Sequence, residues 1–132
     1  MQEKIRILLV EDEAITALLL KRSLELKGHE VYEPLATGRK ALKFAETHQI
    51  DVILLDINLA GDMDGIETAT KITATMDIPI IFTTGYMDDA IKERASVLQP
   101  IAYVVKPIIP DSINDLISKQ FGNENSISAE HT

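Results

Sequence analysis

A chain of 132 residues with a formal charge of −8 has the size of one domain and the wrong sign for gripping nucleic-acid phosphates, which takes clustered cations. Cysteine is absent, which excludes disulfides, thiolate-bound zinc, iron–sulfur clusters and thiol catalysis, and no apolar run nears the roughly 18 residues of a membrane span. A hydrophobic share of 45% supports a real core, and an aromatic share of 5% makes that core aliphatic.

Residues 5–10, apolar but for Arg6, predict a first strand. No secretory layout of charged start, long apolar stretch and small-residue cleavage site precedes them, so the expected setting is reduced and cytoplasmic. Residues 13–27 predict a helix with Ala17, Leu18, Leu20 and Leu24 as its apolar positions and Gly28 as its stop. A weaker strand, 30–35, leads to a helix over 37–48 that groups Ala41, Leu42 and Ala45. The continuous apolar run 52–55 is a strand of the kind buried on both faces. Asp64 with Glu67 three residues on has the spacing of a capping box and predicts a helix to about Thr75. Residues 78–82 form the next strand and 88–98 the next helix, with Ile91, Ala95 and Leu98 on one face. The last strand centres on Val104 and Val105. Pro110 then opens a helix carrying Ile113, Leu116, Ile117 and Phe121 on one stripe.

Five repeats of strand and helix predict an α/β fold: a doubly wound, five-stranded parallel sheet in a three-layer sandwich. The polar residues 122–132 are expected to be a tail or linker stub beyond the domain.

In such sheets ligands bind outside the carboxyl ends of the strands. Glu11 and Asp12 follow the first strand, Asp56 and then Asn58 end the third, Thr83, Thr84 and Gly85 end the fourth, and Lys106-Pro107 ends the fifth. Each alone has an ordinary explanation, as a cap, a turn former, a strand residue or a solvated charge. Their sharing one edge does not. Three carboxylates, Glu11, Asp12 and Asp56, repel one another and call for a cation. Oxygen donors alone select a hard ion, Mg²⁺ or Mn²⁺. A dication, the Lys106 ammonium and the Thr84 hydroxyl around one carboxylate form a phosphoryl-transfer site in which Asp56 attacks phosphorus.

Five motifs carry a family resemblance: Leu8-Leu9-Val10-Glu11-Asp12, Val52-Ile53-Leu54-Leu55-Asp56-Ile57-Asn58-Leu59, Asp64-Gly65-Ile66, Ile80-Ile81-Phe82-Thr83-Thr84-Gly85 and Tyr103-Val104-Val105-Lys106-Pro107. In this order the chain resembles the receiver domain of two-component response regulators over residues 4–121. The resemblance implies strand order 2-1-3-4-5, flavodoxin-like. It implies a phosphorylation-activated switch rather than an enzyme, one that assists its own phosphorylation and dephosphorylation. Asp56 would take a phosphoryl group from a histidine kinase or phosphotransfer protein. Glu11, Asp12, Asp56 and the backbone carbonyl of Asn58 would hold Mg²⁺. Lys106 would pair with Asp56 and then with the phosphoryl oxygens. Thr84, aligned by Gly85, would be the switch hydroxyl, Tyr103 the aromatic that turns inward, and Asn58 and Tyr86 the residues that tune dephosphorylation. The Lys106–Pro107 bond would be cis.

The output surface implied is the face of helix 88–98, strand 101–105 and helix 111–121, read by a downstream protein and open to dimerisation, with no direct contact to nucleic acid or membrane. Met87 beside the switch is either an exposed contact or a packed side chain. His29, His48 and His131 lie at helix ends or in the tail, so the phosphodonor is another protein.

Three departures from the family pattern stand out. Seven residues separate Asp56 from Asp64, one more than is commonest, Gly85 stands where alanine is frequent, and Glu11 stands where Asp is usual. Competing readings fare worse. A dinucleotide fold needs a glycine-rich turn where the chain has Glu11-Asp12-Glu13. An aspartyl phosphatase of the haloacid dehalogenase type wants a second Asp where the chain has Asn58. A receiver-like scaffold that cannot be phosphorylated would lack the acidic pair, the Asp or the Lys.

Overall fold

Short aliphatic runs separated by capped amphipathic segments account for the order of elements in the computed structural model, which describes residues 4–122. The chain runs β1 (Arg6–Val10), α1 (Ala14–Leu26), β2 (Glu30–Val31), α2 (Gly38–Thr47), β3 (Val52–Asp56), α3 (Gly65–Thr73), β4 (Ile80–Thr84), α4 (Asp89–Ser96), β5 (Ala102–Val105) and α5 (Pro110–Phe121). All strand pairs are parallel and the sheet order is β2-β1-β3-β4-β5. The expected tail lies outside the described residues beyond Gly122.

Strand alternation divides the core in two. Leu8, Val10, Ile53, Leu55, Ile80 and Phe82 face one side and pack with Ala41, Ala45, Ile66, Ala69, Ile72 and Ala95 from α2, α3 and α4. Ile7, Leu9, Val52, Leu54 and Ile81 face the other and pack with Leu20, Leu24, Ile113 and Ile117 from α1 and α5. Each fully buried Leu, Ile or Phe is worth about 1.5–3 kcal/mol of transfer free energy, so these two layers are the main favourable term in the fold.

Several expectations shift. The second strand, expected over 30–35, is a two-residue ladder at Glu30–Val31 plus an isolated bridge from Val10 to Leu35. Pro34 has no N–H to donate, and the chain steps past it before Leu35 N–H reaches Leu9 O at 2.9 Å. The fourth strand begins at Ile80 rather than 78, just after Pro79, and runs on through both threonines. On α1, Ala17, Leu20 and Leu24 are buried, whereas Leu18 is 63% exposed. The helix over 64–75 ends at Thr73, and that over 88–98 is shorter, Asp89–Ser96. Met87 is half-buried and packs on the core. Phe121 is 38% exposed, while Ile113 and Ile117 are fully buried and carry the α5 contact.

Gly28 ends α1 as its position suggests, with φ of 99°. Its N–H donates to Glu25 O and that of His29 to Leu24 O, the paired bonds of a Schellman turn.

Candidate functional site

Sheet register decides which side chains meet. Val10 lies beside Leu55, Asp56 beside Thr83, and Thr84 beside Val105. The residues that leave the sheet next, Glu11, Asn58 and Lys106, therefore emerge at one level. They line a cleft with Asp12, Glu13, Asp56 and Gly85. A larger hollow at the amino ends of β4 and β5, walled in part by Asp77, Pro79, Gln99 and Pro100, offers one carboxylate and no counter-charge.

Within the cleft, one carboxylate oxygen each from Glu11, Asp12 and Asp56 fall within 4.8 Å of one another. Glu11 and Asp56 are buried, and Asp12 is exposed. Lys106 bridges the buried pair, its Nζ lying 2.8 Å from Glu11 Oε1 and 2.9 Å from Asp56 Oδ2. Burial alone would lower the Lys106 pKa, but hydrogen bonds to Glu11 and Asp56 outweigh it and raise the value, so the ammonium is charged. Burial raises the Glu11 pKa, against the opposing pull of Lys106 and of the Glu13 N–H, and the Asp56 charge adds to the rise. The three clustered carboxylates, with Glu13 at the cleft wall, outnumber the one ammonium and leave the cleft net negative.

Local backbone bonds fix the acids. Asp56 Oδ1 accepts the Asn58 N–H at 2.9 Å, and Glu11 Oε2 accepts the Glu13 N–H at 2.9 Å. Asp12 Oδ2 accepts the Ala60 N–H at 3.3 Å, which ties the long β3–α3 loop to the acidic pair. Arg39 pins the same loop from α2 through Asp62, with Nε 3.0 Å from Oδ2. Glu11 Oε1 is buried, and its partner is the Lys106 ammonium 2.8 Å away. Three carboxylate oxygens within 4.8 Å of one another, with a single ammonium to offset them, make an all-oxygen donor set that fits a hard divalent cation.

Thr84 is fully buried on β4. Its hydroxyl proton has two acceptors in reach, Asn58 Oδ1 at 2.8 Å and Tyr86 O at 2.7 Å, and its oxygen accepts the Tyr86 N–H at 3.2 Å. Tyr103 is half-buried, with its ring stacked 6.3 Å from that of Phe82. The Tyr86 ring is 67% exposed at the rim. The Lys106–Pro107 peptide is cis.

Sequence reasoning named the acidic cluster and its lysine but not the Arg39–Asp62 pair, and it missed two things more. It gave Gly65 no reason. A Cβ there would sit 2.1 Å from Asp56 O and 2.7 Å from Ile57 Cα, so only glycine lets α3 approach the end of β3. It also missed the side-chain bond from Thr84 to Asn58, for which periodicity and spacing hold no signal.

The family described as Response regulator receiver domain matches residues 7–125. The transcriptional regulatory protein PdtaR of Mycobacterium tuberculosis is 34% identical over 112 residues, which are 85% of this chain and 53% of that protein. The transcriptional regulatory protein YvrH of Bacillus subtilis is 32% identical over 108 residues, 82% of this chain and 45% of that one. The chain thus spans about half the length of the curated relatives it matches. Among solved structures, the signal receiver domain of a modulated diguanylate cyclase from Desulfovibrio desulfuricans G20 superposes with a TM-score of 0.85 at 32% identity, covering 93% of this chain and 98% of that one. A CheY-like response regulator receiver domain protein from Methanospirillum hungatei JF-1 gives 0.83 at 26%, covering 94% and 98%. With the sheet order, the acidic cluster and these matches together, the chain belongs to the response regulator receiver domain family of two-component systems.

Proposed function

We propose that this chain is a phosphorylation-activated switch whose phosphoacceptor is Asp56, occupying a domain of residues 4–121. The observation that carries the reading is the joint hold on Asp56: one oxygen on the Lys106 ammonium, the other on the Asn58 N–H, within 4.8 Å of the Glu11 and Asp12 carboxylates. A carboxylate so held is aimed as a nucleophile. A carboxylate oxygen of Asp56 attacks the phosphorus of a phosphohistidine on a separate kinase or phosphotransfer protein. The P–N bond breaks, and the histidine keeps the electron pair and takes up a proton. Lys106 then offsets charge on the phosphoryl oxygens.

Glu11, Asp12, Asp56 and the Asn58 carbonyl would hold Mg²⁺, or Mn²⁺, whose contribution is charge neutralisation of the transferring group. The chain's own part is to pre-arrange the acids and the ammonium. It catalyses no turnover of a separate substrate; it assists its own phosphorylation and dephosphorylation. Asn58 and the exposed Tyr86 flank the path of the hydrolytic water and tune the lifetime of the phosphorylated state.

Thr84 moving toward the phosphoryl group vacates space that Tyr103 fills, which alters the face of α4, β5 and α5. Val97 and Val105, 79% and 52% exposed, give that face apolar contact area for a downstream protein or a second receiver. The acidic charge disfavours direct contact with nucleic acid. No helix among the described residues is long and apolar enough to cross a membrane. A cysteine-free chain suits a reducing, cytoplasmic setting.

The test is incubation with acetyl phosphate and Mg²⁺ followed by intact-mass measurement. The expected result is a gain of one phosphoryl group, absent in Asp56→Asn and blocked by a chelator. Stable labelling of Asp56→Asn, or labelling that needs no metal, would overturn the assignment.

A further inference from the structure

Thr84 carries the buried hydroxyl beside the site, and its one proton is already engaged. A threonine hydroxyl has a single proton and two lone pairs. Here that proton is shared between two acceptors, Asn58 Oδ1 at 2.8 Å and Tyr86 O at 2.7 Å, and the oxygen accepts the Tyr86 N–H at 3.2 Å. None of these partners is Asp56. Thr84 is fully buried, so water does not replace a partner that leaves. Asn58 is different: its side chain lies at the exposed rim, and its backbone N–H is already committed to Asp56 Oδ1 at 2.9 Å. One residue therefore touches the phosphoacceptor through its main chain and the hydroxyl through its side chain.

We propose that the Asn58 side chain is a latch on Thr84, a positioning residue that holds the hydroxyl away from Asp56 in the unmodified protein and sets how much of the phosphorylation energy is spent on switching. This rests on the reading of Asp56 as phosphoacceptor and Thr84 as the hydroxyl that follows it. To donate to a phosphoryl oxygen, Thr84 must withdraw its proton from both Asn58 Oδ1 and Tyr86 O, and the Asn58 side chain is the acceptor that a substitution can remove. The charged phosphoryl oxygens are the stronger acceptors, which gives the exchange its direction. The latch is a ground-state bond, so weakening it favours the switched state before any phosphoryl group arrives. This is separate from control of water access, because it acts on an equilibrium and not on hydrolysis.

The experiment is an equilibrium titration of Mg²⁺-loaded protein with beryllofluoride, a phosphoryl mimic for carboxylates, followed by the Tyr86 and Tyr103 amide signals in NMR. Asn58→Ala keeps the backbone N–H and carbonyl and removes the carboxamide whose oxygen accepts from Thr84. It should lower the half-saturating concentration by about two- to tenfold, the worth of one neutral hydrogen bond. In a Thr84→Val background the same Asn58→Ala change should have no effect, because nothing remains to be latched. An equal shift in both backgrounds, or none in either, overturns the latch while leaving the phosphoacceptor reading intact. A wild-type protein that does not respond to beryllofluoride overturns that reading and the latch with it.

Discussion

At the scale of single residues, two positions next to Asp56 act through opposite demands. Gly65 is needed for what it lacks. Its missing Cβ makes room for Asp56 O and Ile57 Cα, and its N–H donates to Ile57 O at 2.8 Å. Gly65→Ala should destabilise the fold by about 1–3 kcal/mol, the cost of overpacking, and slow acetyl phosphate labelling by moving the end of β3. Gly85→Ala is the control: a Cβ there meets nothing within 4 Å. It should stay within about 0.5 kcal/mol of wild type in urea unfolding. Equal losses at both sites would refute the steric argument. Glu11 is needed for a charge that the fold tolerates poorly. Burial leads the causes that raise its pKa above the ordinary 4.5. A raised folded value means that its contribution to stability is full below pH 4.5 and is lost as the pH climbs through the folded pKa. In chelator, the stability of Glu11→Gln relative to wild type should therefore rise as the pH goes from 4.5 toward neutrality. A pH-independent difference in denaturant midpoints would contradict it.

Among the elements, α3 is the one whose start is most fully written in its own residues. Asp64 Oδ1 accepts the Glu67 N–H at 2.8 Å, and Glu67 Oε1 accepts the Asp64 N–H at 3.0 Å, the reciprocal pair that the spacing predicts. Asp64→Ala should cost about 1 kcal/mol, and Asp64→Asn, still a good cap, much less, read as shifts of the urea midpoint at constant slope. The Arg94 contact to Asp64 Oδ2, 3.2 Å and half in solvent, adds little to either figure. Equal midpoints for Asp64→Ala and wild type would show that tertiary packing alone holds α3. Strand limits were harder to read than this cap. An apolar run marks a buried strand but not its ends, and the prolines at 34 and 79 delete donors whose effect depends on the neighbouring strand. Leu18 sits at a plausible helical spacing yet faces solvent, because α1 turns Ala17, Leu20 and Leu24 to the sheet.

Over the whole molecule, function depends on a parallel register that stacks strand ends from four parts of the chain. The cost is a cleft where three carboxylates face one ammonium. A cation that binds only the folded state stabilises it by mass action, about 2.7 kcal/mol at a hundred times its Kd. Mg²⁺ should accordingly raise the thermal midpoint by several degrees, and the rise should shrink in Glu11→Gln and Asp56→Asn. Without metal, Asp56→Asn should melt above wild type, since it removes one of three mutually repelling acids and leaves Lys106 paired with Glu11. An identical Mg²⁺ response in all three proteins would argue against the acidic cluster as the metal site.

By itself the sequence determined the α/β class, the chain order of its elements and the identity of the charged groups at the strand ends. Those follow from periodicity, caps and residue type, which are local properties. Only the tertiary structure decided what required a partner from elsewhere in the chain: the shortened β2, the close approach that reserves position 65 for glycine, the Lys106 bridge between Glu11 and Asp56, and the Thr84 bond to Asn58. Distances of a few ångströms between residues 26 to 95 positions apart are set by sheet register and crossover packing, and no stretch of sequence records them alone.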